Sequence, residues 1–111
     1  MRCQKLFEKG CIGGVEIRNR VAMTAMGNGL ASWDGEVSLE LIRFYEDRAR
    51  GGCGLIFTEF TRMDETSGAC NPNQLCIATR KHIRSTERVR CHGARIFVQL
   101  YHGGRETLSV L

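Results

Sequence analysis

Three short segments carry residues whose types and spacing suit chemistry. Residues 24–28 are small and bounded by glycine, residues 58–61 include the carboxylate of Glu59, and residues 99–105 combine the amide of Gln99 with His102 and Arg105. Small residues let backbone amides approach a flat ring or a phosphate. An imidazole beside a guanidinium adds a titratable group and a fixed cation. These segments are candidates for one binding site if the fold brings them together.

Each segment also has a plainer interpretation. Taken alone, residues 24–28 have the composition of an ordinary tight turn, which is the favoured interpretation. Gln99 interrupts an apolar run, where an unpaired amide costs about 1 to 3 kcal/mol, so it either pairs inside the protein or binds a ligand. His102 and Arg105 suit a surface loop equally well. For Glu59 we expect an ion pair with Arg62 or Arg105 rather than a catalytic role.

The elements that must position these segments follow from the apolar pattern. Compact apolar runs predict buried strands at residues 21–26, 55–58 and 96–100. Two helices lie between them, the first capped by Ser38 and ended by Gly51-Gly52, the second spanning residues 80–92. Alternating strands and helices predict an α/β fold with parallel strands, whose carboxyl ends meet at one edge. A small hairpin turning at Gly13-Gly14 precedes them.

Composition excludes several classes of protein. The chain has 111 residues, 42% hydrophobic and 25% charged, as in an ordinary globular unit rather than a disordered or fibrous chain. No apolar run approaches the roughly 20 residues of a membrane span, and no signal peptide is evident, so we expect a cytoplasmic protein. The six cysteines show no C-x-x-C pair, which predicts reduced, mostly packing cysteines and no metal site.

Positive charge is concentrated in one stretch of the chain. Six basic side chains oppose a single acid there, Glu87; they are Arg80, Lys81, Arg84, Arg88, Arg90 and Arg95. Such a stretch forms either a nucleic-acid patch or the solvated face of a helix. We favour the solvated face because no aromatic residues interleave with the charges.

Taken together, the motifs resemble those of the Old Yellow Enzyme-like NADH:flavin oxidoreductases. The similarity runs from about Leu6 to Glu106 and is closest to the branch of 2,4-dienoyl-CoA reductases and bile-acid-inducible enone reductases. Its most specific pieces are Asn19-Arg20-Val21, Ala25-Met26-Gly27, Gly51-Gly52, Gly54-Leu55-Ile56-Phe57-Thr58-Glu59, and Gln99-Leu100 followed by His102-Gly103-Gly104-Arg105.

The resemblance implies a fold and a cofactor. The chain would be the N-terminal part, residues 1–111, of an FMN-binding (β/α)8 TIM barrel: a hairpin, about three parallel strands and two helices. The implied FMN contacts are Thr24, Ala25, Met26 and Gly27, largely through backbone, with Phe60 through backbone and Gln99 at the pyrimidine edge. Two positions depart from the branch. Thr24 stands where proline or another small residue is common, and Phe60 is bulkier than the usual glycine or alanine.

The resemblance also implies an activity. NAD(P)H reduces FMN, and the flavin passes hydride to an activated C=C bond of an enoate, enone or dienoyl-CoA. In the family the proton donor, the phosphate-binding residues and the cysteines of an iron-sulfur cluster lie beyond Leu111, so no catalytic residue is assigned in this chain.

Two expectations concern the chain itself. A barrel of this class takes about 250 residues, so we expect an enzyme fragment that is inactive alone and prone to self-association through open sheet edges. The alternative is a non-enzymatic α/β binding or interaction module derived from the same fold.

Overall fold

The computed structural model describes residues 3–64, 68–78 and 83–107. A short helix and a hairpin precede three strands that alternate with two longer helices. In chain order the elements are α1 (Gln4–Phe7), β1 (Gly10–Ile12), β2 (Val15–Ile17), β3 (Ala22–Met23), α2 (Leu39–Arg50), β4 (Leu55–Arg62), α3 (Ile83–Arg90), β5 (Arg95–Tyr101) and a 3₁₀ turn (Gly104–Glu106).

The sheet has the predicted topology. Its strands run parallel in the order β3-β4-β5, with Ala22 opposite Leu55 and Leu55 opposite Arg95. The predicted strand lengths were wrong at β3 and β4. Pairing of β3 stops after Met23, short of residue 26. β4 runs beyond residue 58 to Arg62, where Leu75 and Ile77 hydrogen-bond to its backbone.

Local signals place the two helices. The Ser38 hydroxyl accepts the Leu41 amide at 3.0 Å, and Gly52, with φ of 108°, follows the end of α2, confirming the predicted caps. α3 lies inside the predicted range, although residues 79–82 are outside the described ones. Gly93, with φ of 80°, ends the turn after α3.

The core lies between the sheet and the two helices. Leu41, Tyr45 and Ala49 of α2 pack with Ile56 of β4 and Val89 of α3, each at most 1% exposed. This burial matches the predicted apolar face of α2. The basic side chains of Arg88, Arg90 and Arg95 are exposed, as a solvated face requires, whereas Arg80 and Lys81 lie outside the described residues. Nucleic-acid binding there remains untested.

The hairpin and the cysteines were predicted with different success. β1 and β2 pair antiparallel through a turn at Gly13, with φ of 57°, as predicted, while α1 was not predicted.

All six cysteines lie in the described part of the chain, and none is bonded to another. Only Cys76 is buried, and Cys3, Cys11 and Cys91 are exposed. The expectation that the cysteines mostly pack inside was therefore wrong.

No helix in the described ranges combines the length and apolar character that crossing a membrane requires.

Arg18, directly after β2, joins both helices to the sheet. Its guanidinium donates to the carbonyl of Ala49 at 2.5 Å, to that of Cys53 at 2.8 Å, and to that of His92. Ala49 lies in the last turn of α2, while Cys53 and His92 follow the ends of α2 and α3. At such helix ends a cation also complements the helix dipoles. Next to it, the Asn19 amide donates to the Gly52 carbonyl at 2.7 Å.

We predict that Arg18→Ala lowers the free energy of unfolding by roughly 2 to 4 kcal/mol, because it leaves carbonyls without a charged donor. Urea unfolding followed by circular dichroism at one fixed protein concentration measures the loss. Arg20→Ala is the matched control, since Arg20 is exposed two positions away. Equal stability of the two variants would contradict this role for Arg18.

Candidate functional site

The carboxyl edge of the parallel sheet brings Gly27, Phe60 and Gln99 together. Phe60 of β4 lies opposite Gln99 of β5 in the strand register. The Phe60 ring also covers Gly27, because a Cβ at Gly27 would lie 2.4 Å from the ring atom Cε1. The carboxyl edge therefore gathers one residue from each of the three candidate segments.

A β-bulge in β4 sets the direction of Phe60. Phe57 pairs with Phe97 and Phe60 pairs with Gln99, so three steps along β4 match two steps along β5. The extra residue puts Phe60 on the face that carries Phe57, where its ring lies 5.1 Å from that of Tyr101. The prediction that Phe60 comes just past its strand was wrong, since β4 continues to Arg62.

Gln99 presents its amide on this same face. The side chain is exposed, and within the described residues its carboxamide has no hydrogen-bond partner. Ile96, three positions earlier, packs against the helix-side core instead. Of the two interpretations left open by the sequence, internal pairing is thus not seen, and the donor and acceptor of Gln99 are available to a ligand.

The segment after β3 is open along most of its length. Thr24, Met26 and Gly27 are exposed and Ala25 is half-buried, with Met26 at 53%. Because strand pairing has already ended at Met23, the backbone groups of these residues are not used by the sheet. A ligand at the carboxyl edge can therefore reach this backbone.

Glu59 holds the segment in place from beneath. Its side chain is 1% exposed, and the carboxylate oxygen Oε2 accepts the Asn28 amide at 3.1 Å. The Glu59 amide in turn donates to the Tyr45 hydroxyl at 2.8 Å. Among the described residues Glu59 forms no ion pair, so the expected pairing with Arg62 or Arg105 was wrong. Neither Asn28 nor Tyr45 carries a sequence signal for this role, because both contacts depend on the bulge.

Burial dominates the electrostatics of this network. Desolvation raises the pKa of Glu59, while the backbone amides of Asn28 and Gly29 lower it by a smaller amount. Desolvation likewise raises the pKa of Tyr45 to about 12, so this side chain remains a neutral phenol. The carboxyl of Glu59 is thus a buried group whose charged form the fold tolerates poorly.

His102 and Arg105 lie in the turn after β5. The Gly104 amide donates to His102 Nδ1 at 3.0 Å, and the Gly103 amide binds the Gly68 carbonyl at 3.2 Å. Both side chains are exposed.

The loop before α3 is also tied to the site, since the side-chain amide of Gln74 donates to the Phe60 carbonyl at 3.3 Å. Gln74 is a positioning residue that no sequence pattern indicated.

The fold and site define a class of protein. The structure has a hairpin followed by three parallel strands, with helices on one face of the sheet. The open polar and aromatic groups lie at the carboxyl edge of these strands. This arrangement is part of a (β/α)8 barrel. The described strands do not close into a barrel. The sequence signature of the NADH:flavin oxidoreductase / NADH oxidase family matches residues 5–109, and the chain belongs to that family.

Individual relatives agree with this assignment. The chain is 42% identical over 106 residues to an NADH oxidase of Thermoanaerobacter brockii, with 92% of this chain and 16% of the relative covered. It is 37% identical to a cinnamate reductase of Clostridium sporogenes, with 88% and 16% covered. The Old Yellow Enzyme of Trypanosoma cruzi superposes with a TM-score of 0.80 at 28% identity, covering 93% of this chain and 28% of that one. The chain therefore spans 16% to 28% of the length of these proteins.

We predict that Gly27→Ala costs about 1 to 3 kcal/mol of stability, because the new methyl group forces the Phe60 ring away from Tyr101. In a Phe60→Ala background the same change should cost much less, and the difference measures the coupling. Thermal unfolding gives both values. Gly14→Ala serves as the control, since a Cβ at Gly14 meets nothing within 4 Å. Additive effects at positions 27 and 60 would disprove the contact.

A second prediction concerns pH. Folding raises the pKa of Glu59 above its usual value of 4.5. The contribution of Glu59 to the free energy of unfolding is therefore greatest below pH 4.5, where the carboxyl is protonated in both states. This contribution is lost as the pH rises through the raised pKa. Glu59→Gln should therefore be more stable than the parent at pH 7, and the difference should shrink on acidification. Urea unfolding of both chains between pH 4 and pH 8 tests this. A difference in the free energy of unfolding between the two chains that stays constant with pH would contradict this prediction.

Proposed function

We propose that the chain supplies part of the FMN site of an oxidoreductase that passes hydride from NAD(P)H through the flavin to an activated C=C bond. The observation that carries the proposal is the free carboxamide of Gln99, set beside Phe60 and Gly27 at the carboxyl edge. Family membership supports the flavin and the nicotinamide in general terms.

The residues present fit a planar ring that has donors and acceptors along one edge. Gln99 offers both kinds of group from one side chain, so it can pair with such an edge. Thr24, Ala25, Met26 and Gly27 offer backbone that the sheet leaves free. FMN, when bound, would supply the hydride carrier, and the chain would supply binding and orientation.

Phe60, which stands where glycine or alanine is usual in the family branch, is the residue that most affects how FMN would fit. Its backbone follows the bulge, while its ring packs against Gly27 and Tyr101. The ring therefore takes space beside the segment that would meet the flavin, and we propose that Phe60 contributes through its backbone and narrows the adjacent pocket. This is the position at which substrate size would be restricted.

The substrate class comes from a relative and from chemistry. Cinnamate, which names one relative, is an acid whose C=C bond is conjugated to its carboxyl group. We propose an alkene activated in this way, as an enoate, an enone or a dienoyl-CoA. Since the chain covers 16% of that relative, the groups that protonate the substrate would come from the rest of the barrel.

A chimaera tests the proposal. Residues 3–107 replace the matching segment of the Thermoanaerobacter brockii NADH oxidase, and flavin retention is measured from the visible spectrum of the purified protein. We expect one FMN per chain and NADH-dependent reduction of cinnamate or a related enoate. Gln99→Ala should weaken FMN binding by roughly 5- to 100-fold, as the loss of one or two neutral hydrogen bonds does.

Gln4→Ala is the matched control, because this exposed glutamine lies in α1. A chimaera that has a native near-ultraviolet spectrum but holds no flavin would rule out the FMN role and favour a binding module. Retained flavin without enoate reduction would overturn the substrate class alone.

A further inference from the structure

A second cluster of reactive side chains lies far from the carboxyl edge. Glu46 of α2 meets Cys91 and His92, which directly follow α3, and the ligand atoms of the three residues all lie within 4.8 Å of one another. Carboxylate oxygen, thiolate sulfur and imidazole nitrogen are the three ligand types that Zn²⁺ uses in proteins. Because Glu46 and His92 are 46 positions apart, no spacing motif reveals the cluster.

The distances suit a tetrahedral ion. His92 Nε2 lies 3.2 Å from Glu46 Oε1, and two such ligands at zinc bond lengths of about 2.0 to 2.2 Å are themselves roughly 3.3 Å apart. Cys91 is exposed, and its Sγ contacts only the Arg88 carbonyl, at 3.0 Å. The sulfur lies within 4.8 Å of the other two ligand atoms, so we expect a rotation of the Cys91 side chain to bring it to the ion.

The backbone beneath the cluster is already braced. The guanidinium of Arg18 binds the carbonyls of both His92 and Ala49, so the turn that carries two ligands is tied to the helix that carries the third.

One cation competes for the same carboxylate. Arg88 Nη1 lies 3.5 Å from Glu46 Oε1, but its side chain is 64% exposed and can turn into solvent. A bound Zn²⁺ would therefore displace Arg88 from the carboxylate. This competition can be tested, because removal of the Arg88 side chain should increase the affinity for the metal.

We propose that Glu46, Cys91 and His92 form a Zn²⁺ site, with water as the fourth ligand, that clamps α2 to the end of α3. The site precedes Arg95, the first residue of β5, so it lies toward the amino edge of the sheet. In barrels of this kind that end contributes to stability rather than to catalysis. The proposal is independent of the flavin site.

The test uses the full chain, reduced with a phosphine, and Co²⁺ as the first probe. We expect one Co²⁺ per chain with a thiolate-to-metal charge-transfer band in the near ultraviolet, displaced by Zn²⁺, and a higher thermal midpoint with Zn²⁺. Cys91→Ser should abolish the band, and His92→Asn should weaken binding at least roughly 10-fold, since even changes in outer-shell partners of metal sites reach that size. Arg88→Gln should tighten binding.

Cys11→Ser is the matched control, because Cys11 is equally exposed but lies on the hairpin. Far-ultraviolet circular dichroism confirms that each variant has the parent's secondary structure. A band that survives Cys91→Ser, or binding that Cys11→Ser weakens as much, would place the metal elsewhere and refute the site. Absence of any Zn²⁺-dependent thermal shift would refute the clamp.

Discussion

Parallel pairing of β3, β4 and β5 is the constraint on which the rest of the structure depends. Parallel strands need a crossover between them, so each returns to the same edge, and all carboxyl ends collect at the other. The two edges consequently differ in chemistry. Arg18 and Asn19 close the amino edge by binding carbonyls at and just after the end of α2, whereas the carboxyl edge keeps unused backbone and the free amide of Gln99.

The bulge in β4 turns this general arrangement into a particular site. In a regular strand Glu59 would pair with Gln99 and project toward Tyr101, and Phe60 would face the helices. The extra residue reverses this, and the buried Glu59 carboxyl instead binds the amide of Asn28. One backbone irregularity therefore sets the direction of Phe60 and the burial of Glu59. Glu59 binds the segment that contains Asn28 from a buried position, and this burial destabilises the charged form of its carboxyl group.

The sequence predicted what depends on periodicity and caps. The hairpin, α2 with Ser38 and Gly52, and the strand order all follow from local pattern and from the rule that crossovers give parallel strands. The bulge could not be predicted, because nothing in the run from Leu55 to Arg62 marks an extra residue. The wrong partner of Glu59 follows from it, because the bulge changes the face on which this side chain lies. The greater length of β4 depends instead on its backbone hydrogen bonds with Leu75 and Ile77. Contacts between residues distant in sequence, such as Gln74 with Phe60, carry no local signal either.

Both faces of the sheet carry apolar side chains that the described residues leave partly uncovered. Leu100 is 59% exposed on the helix side of β5, although Ile96 on that same face packs against the core. On the other face Phe57, Phe60, Phe97 and Tyr101 pair with one another as rings but remain half-buried. Apolar surface of this extent is stable in water only when covered. In a closed (β/α)8 barrel, side chains fill the inner face of the sheet and helices cover its outer face. Such closure would surround Gln99, and hydrogen bonds become stronger where water is excluded.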